Sequence, residues 1–530
     1  MRAQAIFSFL ATAIAASSPL VTAARGGPPS YAPPEFAEKN RRQKIEPLLP
    51  EIDKLYREYA EKQHTPGLVY GIVLDGKLVH TGALGFANLE RKIPAASDTR
   101  FRIASMSKSF VALAALKLRD EGKLRLDDPV ERYLPEFRRV RPPIADAPMI
   151  TIRHLMTMTT GLPEDNPWGD QQLAVSVPAL RKFVGDGLSF SNPPGQQFEY
   201  SNLGFCVLGL VVSKVAGMPF QQYITTQILR PLGMKDTLWE FGNVPADKLA
   251  LGYRWEDEKW KLEPMLHDGA GAAAGGLITT MDDFARYLAF QLEAWPARDE
   301  PEHGPVRRAT VREMQKPAVF NSLNAKTMLL DQKTPNPSVG FYGFGLGWSI
   351  DSQKIVRISH TGGLPGFGSI YRFAPDFGVG VIAFSNVTYG AVVMPSVVAL
   401  STMLEPGRLE PRRLMTSAIL EARRSEVADL IWSWDPALGQ KILAENFYLD
   451  RSRDRWITLS RETLAKLGNV TSIGPMSPDN QLRGFFPIVG ENGRVNVAFT
   501  LTPERVPKVQ ELELDFVATP SETPAPTPNS

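Results

Sequence analysis

The sequence predicts an α+β protein in two parts: an antiparallel sheet flanked by helices with an all-helical insertion, then a small C-terminal α+β domain. Three observations carry that expectation. Two hairpin signatures, "GLVYGIVLDGKLVHTGALGFA" around Asp75-Gly76 and "SIYRFAPDFGVGVIAFSN" around Pro375-Asp376-Phe377-Gly378, stand far apart with mostly helical patterns between them. Strands at both ends of a helical stretch are what one sheet assembled from the two termini of a domain would leave in a sequence. Composition then shifts at "EPGRLEPRRL", residues 405–414, after which a helical stretch to about Leu449 leads into strand-like runs.

Taken in order, the chain opens with Arg2, an apolar stretch from Ala3 to about Ala16, and small residues ending in Val21-Thr22-Ala23-Ala24, the pattern of a cleavable export signal over 1–24. Residues 25–45 are Pro/Gly-rich at first and read as a flexible leader. In "IEPLLPEIDKLYREYAEKQ" the residues Leu48, Leu49, Ile52, Leu55, Tyr56 and Tyr59 recur at helical spacing, and Pro66 marks the end. The Asp75-Gly76 pair suits the positive φ angles of a tight hairpin turn. "SFVALAALKLRDEG", with Gly122 as a stop, "GFCVLGLVVSKVAG" and "TMDDFARYLAFQLEAW" read as helices, the last started by Thr280 and Asp283 three apart. The second hairpin closes a main domain of 46–405. Residues 412–517 form the small α+β domain, with a hairpin around Asn492-Gly493, and the Pro/Thr/Ser-rich 518–530 reads as a disordered tail.

Several function classes drop out on composition. Lys+Arg 59 against Asp+Glu 57 gives a formal charge of +2 over 530 residues, with no basic run interleaved with aromatics, so no nucleic-acid partner is expected. The six histidines, His64, His80, His154, His267, His303 and His360, show no metal-ligand spacing, and neither a metal nor a cofactor is expected. Cys206 is the only cysteine and falls in an apolar helix, so no internal disulfide forms. No later segment is long and apolar enough to span a bilayer, so the mature chain is expected to be periplasmic or secreted without an integral span. The expected partner is a small-molecule or peptide substrate; the oligomeric state is left open.

The chemistry lies in three short segments. Ser105-Met106-Ser107-Lys108 places a hydroxyl and an amine on one face at the start of a helix, where the amine can ease removal of the hydroxyl proton and free backbone N–H groups can meet an oxyanion. Alone, that spacing is common. Its companions are Tyr200-Ser201-Asn202 in "PPGQQFEYSNLGF" and His360-Thr361-Gly362 in "RISHTGGLPGFGS". No G-x-S-x-G elbow exists in the chain, and "GAGAAAGG" from Gly269 lacks the Lys-Ser/Thr of a phosphate loop and reads as a close-packed loop near the site.

In this order the three segments resemble the signature of the serine β-lactamase and penicillin-binding superfamily, and with Tyr-x-Asn its class C-like branch of β-lactamases, D-amino-acid peptidases and esterases. Connecting stretches such as "ITIRHLMTMTTGLP", "GAAAGGLITTMDDFARYL" and "YGFGLGW" are similar too, over about 50–403. The resemblance implies a β-lactamase-like fold, with Ser105 as the acylated nucleophile and Lys108 as the amine that activates it. It makes Tyr200 a general base whose phenolate is stabilised by nearby cations. Asn202 would hold the lysine and a substrate amide, Thr361 and Gly362 would face substrate, and the N–H groups of Ser105 and Gly363 would form the oxyanion hole. Two departures stand out. His360 occupies a position usually held by Lys, and an imidazole with a reference pKa of about 6.5 is mostly neutral at pH 7, which weakens carboxylate recognition and tilts the reading from an efficient β-lactamase toward an esterase or D-aminopeptidase. Met158 stands where relatives often have His, in a loop expected to lie away from the chemistry. The implied activity is ester or amide hydrolysis through a Ser105 acyl-enzyme; the alternatives are a D,D-peptidase or weak β-lactamase, and a β-lactam or muropeptide binding protein that acylates without turnover.

Overall fold

The computed structural model describes residues 31–519 except Pro167. The signal read over 1–24, the first part of the leader and nearly all of the tail lie outside the described residues. The described chain forms two compact units, Pro34–Arg413 and a second that joins residues 31–33 to residues 414–519.

The first unit is built on a nine-stranded antiparallel sheet. Its strands are β1 (Gly67–Leu74), β2 (Lys77–Asn88), β3 (Ile93–Pro94), β4 (Val319–Asn324), β5 (Ser338–Tyr342), β6 (Gly347–Asp351), β7 (Val356–Leu364), β8 (Phe367–Ala374) and β9 (Val379–Ser385), in the order β3-β2-β1-β9-β8-β7-β6-β5-β4. The central pairing joins the two ends of the domain, with Leu68 opposite Ser385 and Leu74 opposite Val379. Both expected hairpins form: Asp75 and Gly76 take φ of +50° and +75°, and Gly378 takes +59° after the Pro375–Phe377 turn. The insertion is largely helical, interrupted by two short ladders that pair Phe101–Arg102 with Ile278–Thr279 and Tyr253–Glu256 with Lys259–Leu262.

Side-chain alternation along β1 divides the interior. Leu68, Tyr70, Ile72 and Leu74 face a layer with Ile52 and Tyr56 of the Leu49–Lys62 helix and Ala399, Leu400 and Met403 of the Val393–Met403 helix. Val69 and Val73 face the other way, into the larger core with Phe284, Tyr287 and Leu288 of the Met281–Glu293 helix. Every residue of β1 is buried, as a strand covered on both faces requires. The Ser107–Asp120 helix is buried on all sides through most of its length, so it has no solvent face on which a lysine can rest.

The leader expectation needs correction. Of 25–45, the described residues are anchored: Glu35 bridges Arg413, Arg41–Ile45 is a helical turn, and the Arg41 guanidinium is buried with Nε 3.0 Å from Asp75 Oδ2 and Nη1 3.2 Å from the Glu410 carbonyl. An arginine that meets a carboxylate and carbonyls at once holds a chain segment firmly, which the Pro/Gly content upstream did not reveal.

The second unit runs from helices to sheet. Helices Ala418–Ser433, Pro436–Ile442 and Arg453–Ala465 precede β10 (Val470–Ile473), β11 (Ser477–Asn480), β12 (Arg483–Gly490), β13 (Gly493–Leu501) and β14 (Val509–Ala518). The hairpin turn sits one residue earlier than expected: Gly490 pairs with Gly493, leaving Glu491 and Asn492 in the loop. This unit has its own core, in which Leu430, Ile431 and Trp456 meet Phe486, Ile488, Val497 and Phe499. Phe486→Ala is therefore expected to destabilise this unit by about 3–5 kcal/mol. Urea unfolding followed by tryptophan fluorescence measures this, and an unchanged midpoint would contradict it.

Candidate active site

Ser105 sits on a turn, Ala104–Met106, that feeds directly into the Ser107–Asp120 helix. Ala104 holds φ of +47°, a left-handed conformation that non-glycine residues adopt at a cost of roughly 1–3 kcal/mol, so surrounding contacts must enforce it. They do so with side chains the sequence reading did not single out. Ser107 Oγ donates to the Ala104 carbonyl at 2.7 Å and accepts from the Leu277 N–H at 3.0 Å, while Ser369 Oγ donates to the Ile103 carbonyl at 2.7 Å.

Lys108, one helical turn on, is completely buried. Its Nζ lies 2.6 Å from Asn202 Oδ1, 2.7 Å from the Ala274 carbonyl and 2.9 Å from Ser105 Oγ. The first two partners are acceptors only, so they fix two N–H bonds. The third tetrahedral position points at Ser105, where an ammonium donates and a free amine accepts the hydroxyl proton. Burial is the main influence on this amine and lowers its pKa to about 8. Asn202 begins the Asn202–Ala216 helix, whose first N–H groups are met by Asp165: Asn202 N–H donates at 2.6 Å and Leu203 N–H at 2.8 Å. Ala274 lies in a short helical turn, Ala272–Gly275, where a loop was expected; the close packing expected of this glycine-rich segment is present, since a Cβ on Gly271 would come 2.1 Å from the Gln172 carbonyl.

The Tyr200 ring centroid is 4.9 Å from Lys108 Nζ. Burial pushes the phenol far above its ordinary range; the Ser105 hydroxyl pulls the other way, and Asp170, Asp165 and Glu164 add to the rise. Burial and these three acids favour the neutral form of Tyr200, where the resemblance implies a phenolate. Met158 is also nearer than expected, because its carbonyl accepts from Glu199 N–H at 2.9 Å and its sulfur from Ser201 N–H at 3.3 Å, which holds the Tyr200 turn from behind.

On the opposite wall β7 carries His360, Thr361, Gly362 and Gly363. Its partner β6 pairs only with Val356–Ser359, so the strand runs on past that ladder toward the nucleophile turn. His360 Nδ1 lies 2.6 Å from the Thr361 carbonyl and must donate to it, which leaves Nε2 to accept from the Tyr342 hydroxyl at 3.0 Å. Burial, helped by Lys108, lowers the imidazole pKa to about 4. The ring is neutral with a fixed tautomer.

Ser105, Tyr200, His360, Thr361 and Gly363 line one cavity of about 520 Å3, together with Asn166, Phe198, Asn321 and Tyr342. Lys108, Asn202 and Gly362 lie behind its wall. The Asn202 amide is taken up by Asn166 Oδ1 at 2.5 Å and Asp170 Oδ1 at 3.3 Å, and a Cβ on Gly362 would sit 2.3 Å from both the Ile103 carbonyl and Ser369 Oγ. Among the described residues no three His, Cys, Asp or Glu side chains gather as a metal site would need. A neutral amine against a serine hydroxyl at the mouth of a cavity can take that proton and prepare the oxygen for attack on a carbonyl.

Comparison with known proteins finds a family and several relatives. A family model described as Beta-lactamase matches residues 52–399. Protein flp of Staphylococcus aureus strain MW2 is 27% identical over 340 residues, which is 64% of this chain and 63% of flp; the chain thus spans less than two thirds of that relative. Esterase EstB of Burkholderia gladioli is 28% identical over 384 residues, 67% of this chain and 94% of the esterase. The octameric penicillin-binding protein homologue from Pyrococcus abyssi superposes with a TM-score of 0.55 at 21% identity, covering 88% of this chain and 98% of its own, a likeness of fold. A penicillin binding protein from Bacillus halodurans gives 0.52 at 26% identity over 66% of this chain and 98% of its own.

Two outcomes follow from the geometry. Because Ser105 can pass its proton only to the uncharged amine, the rate of fluorophosphonate labelling should rise about tenfold per pH unit and level off near pH 8, with no step between pH 5 and 7 from His360. A flat profile over pH 5–10 would contradict the role of the amine. Gly362→Ala must shift Ile103 or Ser369 to make room, so it should cost about 1–3 kcal/mol of stability and slow labelling as well, read by thermal melting and labelling rate on one preparation.

Proposed function

The chain belongs to the Beta-lactamase family, and from that premise we propose that it is an exported serine hydrolase of the esterase or D-amino-acid peptidase type, cleaving an ester or amide through a Ser105 acyl-enzyme. The observation that carries this reading is the buried Lys108 amine, 2.9 Å from Ser105 Oγ with its other two partners fixed. Lys108 takes the Ser105 proton as the oxygen attacks the substrate carbonyl. The N–H groups of Ser105 and Gly363 receive the developing oxyanion, each worth roughly 3–4 kcal/mol in such sites. Tyr200, neutral and beside both Ser105 and Lys108, gives its own proton to the leaving group and regains one from the water that attacks the acyl-enzyme, while Lys108 returns its proton to the Ser105 oxygen as the acyl group leaves, so all three end the cycle as they began. Thr361 lines the cavity and offers its hydroxyl to the substrate.

A neutral His360 bonded to Tyr342 supplies no permanent charge for a substrate carboxylate, which favours the esterase or aminopeptidase reading over an efficient β-lactamase or D,D-carboxypeptidase. The similarity to esterase EstB points the same way. Export rests on the N-terminal pattern of Arg2, an apolar stretch and small residues, and implies a periplasmic or secreted enzyme. Among the described residues no single helix is long and apolar enough to cross a membrane.

Ser105→Ala is expected to abolish both hydrolysis and fluorophosphonate labelling while changing stability by no more than about 1 kcal/mol. Lys108→Ala and Tyr200→Phe should each lower kcat by at least about 100-fold, and the double variant by much less than the product, since both serve one proton transfer. Short-chain p-nitrophenyl esters provide the assay. Hydrolysis surviving in Ser105→Ala would overturn the assignment, and a stoichiometric burst without steady-state turnover would favour a binding protein.

A further inference from the structure

The lining of the catalytic cavity has a one-sided charge. It contains two carboxylates, Glu164 and Asp170, and neither a lysine nor an arginine. The two acids differ in kind. Asp170 is 5% exposed and structural, held against the Asn202 amide and the Tyr389 hydroxyl. Glu164 is exposed; its backbone N–H donates to Glu199, and its carboxylate has no hydrogen-bond or ion-pair partner among the described residues. The same cavity is also lined by the rings of Phe198, Tyr200, Tyr342 and Tyr389. Aromatic faces attract cations and not anions, so they reinforce the same preference by independent physics.

The fixed basic group nearest to the nucleophile is Lys108, behind the wall, and its proton is what the chemistry consumes. With Lys108 in the free-amine form, Glu164 and Asp170 face the cavity with no compensating cation in its lining, and Asp165, bound to the start of the Asn202–Ala216 helix, adds a third negative charge nearby. A substrate carboxylate brought there would meet like charge in a confined, partly desolvated space. A substrate ammonium would supply the missing counter-charge.

We propose that this cavity selects esters or amides bearing a positively charged amine or quaternary ammonium near the scissile bond, with Glu164 as the exposed recognition group and the aromatic walls as its partners. The inference rests on the Ser105 acyl-enzyme reading and adds a substrate class to it.

Isosteric pairs test this, because replacing nitrogen by carbon removes charge and keeps shape. On the leaving-group side the pair is acetylthiocholine and 3,3-dimethylbutyl thioacetate. On the acyl side it is the p-nitrophenyl esters of 4-(trimethylammonio)butanoate and 5,5-dimethylhexanoate. For the full-length protein, kcat/KM should be at least about tenfold higher for the cationic member of one pair, the scale of a cation–π contact joined to an ion pair. That ratio should shrink as salt is raised from about 0.01 to 0.5 M and fall toward one in Glu164→Gln. Ratios at or below one in both pairs would overturn the inference, as would a high ratio indifferent to Glu164→Gln. Fluorophosphonate labelling of Ser105 separates the levels: labelling with ratios near one sinks only the substrate class, whereas no labelling and no hydrolysis sinks the acyl-enzyme reading and this inference with it.

Discussion

A lysine amine buried among apolar helices is the constraint around which the active unit is organised. Moving an ammonium out of water costs several kcal/mol unless its hydrogens are matched, and Lys108 is matched by atoms from three segments: Ser105 on the turn before its helix, Asn202 at the start of another helix, and Ala274 in the short helical turn Ala272–Gly275. Each segment must be held to within a few tenths of an ångström. Asp165 therefore caps the Asn202 helix, glycines let the 269–276 segment approach Gln172, and Ser107 and Ser369 pin the Ala104 turn. Loss of any one would leave a buried donor unpaired or the nucleophile misplaced. Catalytic geometry and core packing are here the same requirement.

The sheet supplies the second half of the site. Pairing of β1 with β9 ties the ends of the domain together, and the β9-β8-β7 run then carries His360 to Gly363 to the nucleophile turn. Gly362 shows how tight that junction is, since its missing Cβ makes room for the Ile103 carbonyl. The electrostatic outcome is specific to this chain. His360 is committed to Tyr342 and to a backbone carbonyl, and the remaining charges around the cavity are acids. A site built this way can run acyl-transfer chemistry while presenting a different charge to its substrate than a lysine at position 360 would present.

Much of this was legible in the sequence, for identifiable reasons. The spacing of Ser105 and Lys108 at the start of a helix brings the two side chains together, the two hairpins announce themselves through Asp75-Gly76 and Pro375–Gly378, and β1 betrays its burial by an unbroken apolar run. What could not be read comes from residues whose meaning exists only in three dimensions. Asp165, Asp170 and Glu164 look like an ordinary polar loop in "LPEDNPWGD", and nothing local shows that the loop folds over Tyr200. Tyr342 bonds to His360 Nε2 from a strand that the motif does not include. Gly362 reads as part of a substrate-binding triplet and serves as a packing glycine. The leader and the Asn492-Gly493 turn were misjudged by composition and by one residue of register, where a buried arginine and the strand pairing decided the outcome.

The central claim is that Lys108 carries a free amine at its working pH and accepts the Ser105 proton. NMR titration of the protein with 13Cε-labelled lysine, with the Lys108 signal assigned through Lys108→Arg, measures that property without reference to any substrate. The account predicts one lysine resonance that titrates near pH 8, well below the others, and that moves when Asn202 is replaced by Ala. A Lys108 signal that stays in its protonated position through pH 10 would contradict the account.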